Sequence, residues 1–307
     1  MDKKISKVGM GMCFCTPEVM DYAYSKNIRL IDLGFGYQGA NVAEKQVGEW
    51  LEGKDRSEFY IVDKLPLFEG LYVKKFGESI YNMTDERLEE CVRAVLNEQL
   101  EYTKAQYFDA YLLHAVFDLQ HSKDYDITLD LDLYKRLVPI LLKLKEEGLI
   151  KAIGFSAHIT YERLCLFLSE VDPENKVFTV AEVSYNVLND KGASIEKPSA
   201  FVRMHGLTVW DAIGEKGIHH LKEKGYTIID MMPHESGRMN ELCTAPDFYK
   251  WNDTFINKNP DLDYILLGTT NIENVDKMLI AAGEMKDPNK VPDMRIIDNG
   301  GHSHCGE

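Results

Sequence analysis

The chain has 307 residues, a length that fits two small domains or one large α/β barrel. Its formal net charge of −15 argues against nucleic acid and anionic membranes as partners, because both attract basic surfaces. No apolar run approaches the length of a membrane span, and the N-terminus lacks the apolar stretch of a signal peptide. The six cysteines are scattered, so we expect free thiols and a cytoplasmic protein.

Eight short apolar runs alternate with amphipathic stretches along the chain. Most of these runs are nearly continuous, which is typical of strands buried on both faces of a parallel sheet. Strands are predicted at residues 7–12, 28–31, 59–62, 108–113, 149–155, 178–183, 226–231 and 264–268. Helices are predicted at about 16–26, 41–52, 159–170, 206–224, 246–258 and 272–284, with one more after Thr84 and another ending near Glu147.

Local signals mark the ends of two of these helices. Thr84 is a candidate N-cap, because Asp85 and Glu86 follow it in the first turn. Gly148 suits the left-handed position that ends a helix. Pro139 lies within the same helical pattern, so this helix either kinks there or begins nearby.

Eight strands alternating with about eight helices predict parallel pairing with right-handed crossovers. We therefore expect a single-domain (β/α)₈ TIM barrel over residues 1–284, followed by a polar C-terminal tail at 285–307. The alternative is an open, doubly wound sheet. It is disfavoured because Gly9 and Gly11 at the first turn do not form a G-x-G-x-x-G motif.

Ionisable residues stand at the ends of three consecutive predicted strands. Asp32 directly follows the second strand, Lys64 comes one residue beyond the third, and His114 follows the fourth. Tyr37 lies in the loop after Asp32. Because the carboxyl ends of barrel strands form the active-site face, these four side chains are candidates for catalysis. Each alone has an ordinary structural explanation, such as a helix cap or core packing, and only the joint pattern favours a site.

These residue types suit the reduction of a carbonyl group. Hydride transfer builds negative charge on the carbonyl oxygen, and a tyrosine can donate a proton there. The free pKa of a tyrosine is about 10, and a nearby lysine ammonium favours the phenolate. A carboxylate keeps the lysine charged, and a neutral histidine can orient the carbonyl by a hydrogen bond. The hydride must come from a cofactor, because no side chain supplies one.

Motifs in the same order along the chain resemble the aldo-keto reductase family over nearly the whole sequence. The matching segments are NIRLIDLGFGY, IVDKLP, DAYLLH, LKEEGLIKAIGFSAH, VSYN, MMPHESGRM and LLGTTNIENV. The GFSxH and MxP forms are most similar to a branch that often carries a C-terminal iron–sulfur module. The cysteine cluster of that module is absent from this sequence, so no cluster is predicted.

The resemblance implies a role for each candidate residue. Tyr37 would donate the proton, and Lys64 and Asp32 would tune its acidity. His114 would orient the carbonyl of a small aldehyde, ketone or sugar-like substrate. The small-molecule partner would be this carbonyl compound or the corresponding alcohol. The cofactor would be NADP(H), with NAD(H) as the alternative. The residues implied to bind it are Ser156, Glu182, Met231, Gly237, Arg238, Gly268, Thr269, Thr270 and Asn274.

Several of these positions depart from the family pattern. Glu182 stands where the family usually has a glutamine, Asn274 where it commonly has an arginine, and Met231 where an aromatic residue often stacks on the nicotinamide. Ala157 replaces an asparagine, and Lys277 with Met278 replaces an acidic–asparagine pair. A second hypothesis is therefore a barrel that binds nicotinamide weakly or not at all and has a regulatory or non-redox role.

A third hypothesis concerns metal. Cys13 and Cys15 could combine with His302, His304 and Cys305 of the tail into a thiolate and imidazole site. The five residues come from opposite ends of the chain and lack zinc-finger spacing, so we assign no metal ligand and favour pocket-lining residues plus a polar tail.

Overall fold

The computed structural model describes residues 5–117, 127–186, 212–234 and 257–286, and it shows a closed parallel barrel. Each strand pairs with its neighbours in sequence, and β1 (Val8–Gly11) closes the barrel by pairing with β8 (Tyr264–Leu267). The other strands are β2 (Leu30–Asp32), β3 (Tyr60–Leu65), β4 (Phe108–Leu113), β5 (Ile150–Ala157), β6 (Val180–Val183) and β7 (Thr227–Asp230). The predicted (β/α)₈ barrel is confirmed, and the open doubly wound alternative is wrong.

Helices follow the strands around the outside of the barrel. Those in the described ranges are α1 (Pro17–Ser25), α2 (Val42–Trp50), α3 (Glu69–Phe76), α4 (Asp85–Thr103), α5 (Ile127–Glu146), α6 (Tyr161–Val171), α7 (Gly214–Glu223) and α8 (Ile272–Ala281). None of these described helices is both long and apolar enough to cross a membrane.

Alternate residues of each strand face two different cores, as the two-residue period of a strand requires. The smaller core fills the barrel and includes Leu30, Val62, Leu112 and Ile229. The larger core lies between the strands and the helices. The residue that follows an inward-facing residue by two therefore also faces inward. Each strand therefore has inward-facing residues up to the mouth of the barrel.

The predicted helix ends are confirmed. Thr84 caps α4, and its hydroxyl accepts a hydrogen bond from the backbone N–H of Arg87. Gly148 follows α5 with a φ of 79°, and Gly148 and Leu149 donate backbone bonds to Lys145 and Leu144. This pair of bonds is a Schellman motif. The helix runs through Pro139, so the idea that it begins near that proline is wrong.

Other boundaries differ from the prediction. Helix α3 was not predicted, because it is short, contains Gly70 and has no side-chain cap at Phe68. Strand β3 continues through Lys64 to Leu65, and β5 continues to Ala157. In both strands polar residues interrupt the apolar run from which the end was predicted.

Parts of the prediction lie outside the described residues. The predicted helix at 206–224 is described only from residue 212, where α7 begins at Gly214. The predicted helix at 246–258 lies outside the described residues except for its last two positions. Only residues 285 and 286 of the predicted tail are described, so its boundary stays a prediction.

One close approach explains a glycine on the outside of the barrel. A Cβ on Gly48 of α2 would lie 2.0 Å from the carbonyl oxygen of Tyr102 on α4. Backbone atoms leave no room for such a contact, so only glycine permits this distance between the two helices. The contact seats α2 and α4 against the back of β3.

Candidate active site

Strand alternation brings the predicted residues to one end of the barrel. Leu30, Val62, Leu112 and Ile229 face the inner core, so the residues two positions later also face inward. These later residues are Asp32, Lys64, His114 and Met231. Ser156 and Glu182 are neighbours in the register of β5 and β6 and reach the same end of the barrel.

Lys64 is the centre of this group and has no exposed surface. Its ammonium donates hydrogen bonds to Asp32 Oδ1 and, at 2.7 Å, to the carbonyl oxygen of Leu33. Its Nζ lies 3.3 Å from the hydroxyl of Tyr37. Burial opposes the charge on Lys64, but Asp32 and Glu182 outweigh burial and raise its pKa. The side chain is therefore an ammonium at neutral pH.

Tyr37 reaches Lys64 because the loop after β2 passes closely beneath its ring. A Cβ on Gly34 would lie 3.0 Å from Cζ of Tyr37 and 3.4 Å from Cε1 of His114. The ring of Tyr37 also contacts His114 edge-on, with 6.2 Å between the ring centroids. Gly34 thus provides the space in which both side chains meet.

His114 is a neutral imidazole. Burial and the nearby Lys64 lower the pKa of His114 to about 3. Phe68 packs edge-on against its ring, with 5.4 Å between centroids. Its Nδ1 is buried and has no hydrogen-bond partner within the described residues. The ring can therefore serve a group that enters the barrel mouth.

Glu182 is the second carboxyl group beside Lys64. Its side chain is 1% exposed, and its Oε1 lies 3.2 Å from Nζ of Lys64. Neither oxygen has a partner with hydrogen-bond geometry among the described residues. Burial and the neighbouring Asp32 raise the pKa of Glu182 well above its usual range. Burial and Asp32 therefore both favour the protonated form of Glu182.

A polar cluster on the outer side of β3, here called the outer cluster, consists of Glu44, Asp63, Gln99 and Tyr111. Asp63 Oδ1 accepts the backbone N–H of Lys64 at 2.7 Å, and the Gln99 amide donates to the Lys64 carbonyl at 2.9 Å. The Tyr111 hydroxyl donates to Gln99 Oε1 at 2.6 Å. The outer cluster therefore fixes the backbone on which the central lysine stands.

Two carboxyl groups of the outer cluster are buried together. Burial raises the pKa of Glu44 to about 7, and burial together with Glu44 raises that of Asp63 well above its usual range. Both oxygens of Glu44 and Oδ2 of Asp63 lack hydrogen-bond partners in the described part of the chain. Protonation of this pair removes the repulsion between two buried negative charges.

Ser156 on β5 holds the loop that follows β4. Its hydroxyl accepts the backbone N–H of Ala115 at 3.0 Å, and its carbonyl accepts that of Val116 at 2.8 Å. Ala115 has a φ of 58°, so the chain turns sharply just after His114. The loop that carries the histidine is thus held by β5.

The loop after β8 is organised around Thr269. Its hydroxyl accepts hydrogen bonds from the backbone of Asn271 at 3.0 Å and from the side chain of Asn274 at 2.9 Å. Asn271 caps α8 through a bond from Glu273, and Thr270 is exposed at the turn. A Cβ on Gly268 would lie 2.9 Å from the ring of Phe14. The backbone of this loop therefore lies directly before the first turn of α8.

The structure brings Glu182 together with the four predicted catalytic residues. Other predicted residues lie outside the part of the chain that it describes. Gly237 and Arg238 lie outside the described residues, as do His302, His304 and Cys305. Cys13 and Cys15 follow β1, and neither forms a disulfide with another described cysteine. Within the described ranges, no three metal-ligating side chains form a group that could hold an ion.

Sequence reasoning missed the contributions of Gly34, Asp63 and Gln99. It also missed His158, which lies just beyond β5, two residues after Ser156, and whose pKa is lowered by burial and by His114. Burial lowers the pKa of His158 to about 3. Strand alternation could have identified His158, whereas the Gly34 contact depends on the path of a loop and leaves no signal in the sequence.

Comparisons with known proteins agree with the barrel fold. The sequence model of the Aldo/keto reductase family matches residues 16–257. An aldo-keto reductase from Klebsiella pneumoniae in complex with NADPH has 14% identity and a TM-score of 0.60, over 92% of this chain and 88% of that one. An aldo-keto reductase from Bacillus halodurans in its holo form has 16% identity and a TM-score of 0.55, over 93% and 89%. The comparison with curated proteins found no significant match.

The chain is a (β/α)₈ barrel with ionisable residues at the carboxyl ends of its strands. The chain belongs to the aldo-keto reductase family, because the family model covers most of its length. It is accordingly an NAD(P)H-dependent enzyme.

Replacement of Glu44 by glutamine tests the buried carboxyl pair. The unfolded pKa of a glutamate is about 4.3, so between pH 4.3 and 7 the folded protein binds more protons than the unfolded chain. Stability from Glu44 is fully present below pH 4.3 and is lost as pH rises through 7. We expect the wild type to lose on the order of 3 kcal/mol across this window and Glu44→Gln to lose clearly less. Urea denaturation at several pH values measures this difference.

The matched control is Glu174→Gln, because Glu174 is exposed in a surface pair with Lys176. It should reproduce the wild-type dependence of unfolding free energy on pH. Equal slopes for Glu44→Gln and the wild type would show that Glu44 does not hold a proton in the folded state.

Proposed function

We propose that the enzyme reduces the carbonyl group of a small aldehyde, ketone or sugar-like molecule, with Tyr37 as the proton donor. The observation that carries this proposal is the ammonium of Lys64, buried between Asp32 and the hydroxyl of Tyr37. A bound nicotinamide would supply the hydride. The alcohol product leaves with one hydride and one proton more than the carbonyl substrate.

Lys64 assists the proton transfer through its charge. When the Tyr37 hydroxyl gives its proton to the carbonyl oxygen, a phenolate remains. The buried ammonium 3.3 Å away stabilises this negative charge. Asp32 offsets the cost of burying the ammonium and fixes its position. In the reverse direction the same phenolate would accept a proton from an alcohol.

His114 orients the substrate. A neutral imidazole has one N–H, which it can donate to the carbonyl oxygen while Tyr37 approaches the same atom. Because the pKa of His114 is about 3, the ring is not protonated at neutral pH and does not compete with Tyr37 as the proton donor. The edge-on contact between the two rings supports this joint action on one oxygen atom.

The residues at the barrel mouth fit the nicotinamide end of the cofactor. A carboxamide needs a donor for its oxygen and an acceptor for its nitrogen. The Ser156 hydroxyl and the unbonded oxygens of Glu182 lie on neighbouring strands and would provide these. Met231 packs at the rim of the inner core and would contact the flat face of the ring.

The loop after β8 fits the phosphate-bearing end. Gly268, Thr269 and Thr270 would approach it with backbone N–H groups at the start of α8. Gly237 and Arg238 would lie near the pyrophosphate. Asn274 would act indirectly, because its amide already bonds to Thr269. We favour NADPH, which the Klebsiella pneumoniae relative binds, with NADH as the alternative.

The four described cysteines form no disulfide with one another, which is compatible with a reducing cytoplasm, and we propose that location.

Replacement of Tyr37 by phenylalanine should lower kcat for carbonyl reduction by at least about 100-fold, because the proton donor is lost. Consumption of reduced nicotinamide at saturating substrate measures the rate. Tyr102→Phe is the control, since its hydroxyl bonds only to Glu98 on the same helix among the described contacts. Unchanged turnover in Tyr37→Phe would refute the role of Tyr37.

Replacement of Gly34 by alanine should lower kcat by about tenfold or more. The new methyl group would displace the Tyr37 ring by a few tenths of an ångström. The control is Gly70→Ala on α3, where an added Cβ meets nothing within 4 Å. That variant should keep the wild-type kcat and gain up to about 1 kcal/mol in unfolding free energy. If both variants kept full kcat, the close contact would not position Tyr37.

Weak nicotinamide binding is a second candidate property, favoured by two residues near the adenosine end. Asn274 is engaged with Thr269, and Lys277 lies 3.2 Å from Glu273. Neither arrangement leaves an obvious cation directed at a phosphate.

Titration of protein fluorescence with NADPH and NADH distinguishes the two candidates. We expect micromolar binding of NADPH and weaker binding of NADH. Absence of binding by either would favour the regulatory or non-redox role instead.

A further inference from the structure

Lys64 has more acceptors around its ammonium than it has N–H groups to donate. An ammonium carries three N–H bonds. Asp32 Oδ1 and the Leu33 carbonyl take two of them. The third has two candidates: the Tyr37 hydroxyl at 3.3 Å and Glu182 Oε1 at 3.2 Å. Tyr37 and Glu182 therefore compete for one hydrogen bond.

Glu182 depends on Lys64 for any compensation of its charge. The side chain is 1% exposed, and its neighbours in the strand register are Ser156 on β5 and Ile229 on β7, which do not titrate. The titratable groups that act on it from other elements are Asp32 on β2 and Lys64 on β3. Asp32 already bonds to the same ammonium, so an ionised Glu182 would add an uncompensated buried charge.

We propose that Glu182 is a positioning residue whose own proton decides whether Lys64 donates its third hydrogen bond to Tyr37 or to Glu182. This inference rests on the proposed role of Tyr37 and extends it to the regulation of the site. When Glu182 is a neutral acid, its pull on the ammonium is weak, and the third N–H is donated to the Tyr37 hydroxyl. The phenolate that forms during reduction is then stabilised.

Ionisation of Glu182 has the opposite effect. A carboxylate accepts a charge-assisted hydrogen bond that is stronger than a bond to a phenol, so the third N–H turns to Glu182. The same negative charge repels the forming phenolate, and Tyr37 holds its proton more tightly. The proton on Glu182 exchanges with solvent and is not consumed, so the stoichiometry of the reduction is unaffected.

The raised pKa of Glu182 is consistent with this arrangement, because burial and Asp32 both favour the neutral acid. The enzyme would then reduce carbonyls at neutral pH and lose this capacity as pH rises through the ionisation of Glu182. Replacement by glutamine keeps the shape of the side chain and removes the ionisation.

The first test is the dependence of kcat on pH for the wild type and Glu182→Gln, each scaled to its own maximum and measured with cofactor and substrate saturating. We expect the alkaline fall in kcat to move upward by about one pH unit in the variant, which corresponds to about tenfold in relative rate at the alkaline end. Superimposable profiles would overturn the proposal. Glu174→Gln should follow the wild type.

The second test needs neither cofactor nor turnover. Phenolate absorbance is titrated in the wild type and Glu182→Gln, and each titration is repeated with Tyr37→Phe added, so that the difference isolates Tyr37. We expect the Tyr37 phenolate to form at lower pH in Glu182→Gln, by about one unit. An unchanged titration would overturn the inference.

The two tests separate this inference from the proposed function. A shifted Tyr37 titration supports the competition for Lys64 whether or not Tyr37 is the proton donor. Loss of the role of Tyr37 is detected only by unchanged turnover in Tyr37→Phe. Glu182→Leu, which also removes the charge, repeats both tests if the glutamine variant folds poorly.

Discussion

Lys64 is a cation without exposed surface. The free energy needed to bury its charge determines how the other ionisable groups at the barrel mouth are arranged. Asp32 and Glu182 stand on its inner side, while Asp63 and Glu44 lie behind its strand. Not all four carboxyl groups can be ionised beside one ammonium in a medium of low dielectric constant. Burial therefore favours the protonated form of Glu182, Asp63 and Glu44, whereas exposed carboxyl groups are charged at neutral pH.

The period of the strand separates these charges. Asp63 and Lys64 are adjacent in sequence, yet one faces the helices and the other faces the barrel interior. The backbone between them is held from outside by Asp63 and Gln99, and the side chain is held from inside by Asp32. Helix α4 thereby contributes to the geometry of the site from the outer side of the barrel, through the bond from Gln99 to the Lys64 carbonyl.

The sequence alone predicted the barrel and the placement of the four candidate residues, because strand ends in a parallel barrel converge on one face. Helix caps at Thr84 and Gly148 were also predictable, since these signals are local. The pairing of Glu182 with Lys64 was not, because strand spacing says which face a residue occupies and not which atoms meet. Helix α3 was missed for want of a capping signal, and the contact of Gly34 with Tyr37 depends on a loop path.

Ser156 holds the turn after His114 by two hydrogen bonds made within the protein. A turn fixed in this way loses little conformational entropy when a molecule enters the barrel mouth. Selectivity among carbonyl compounds should then come from segments farther from the strands. Exchange of those outer segments would change which substrate binds, while the positions of His114 and its neighbours at the strand ends are retained.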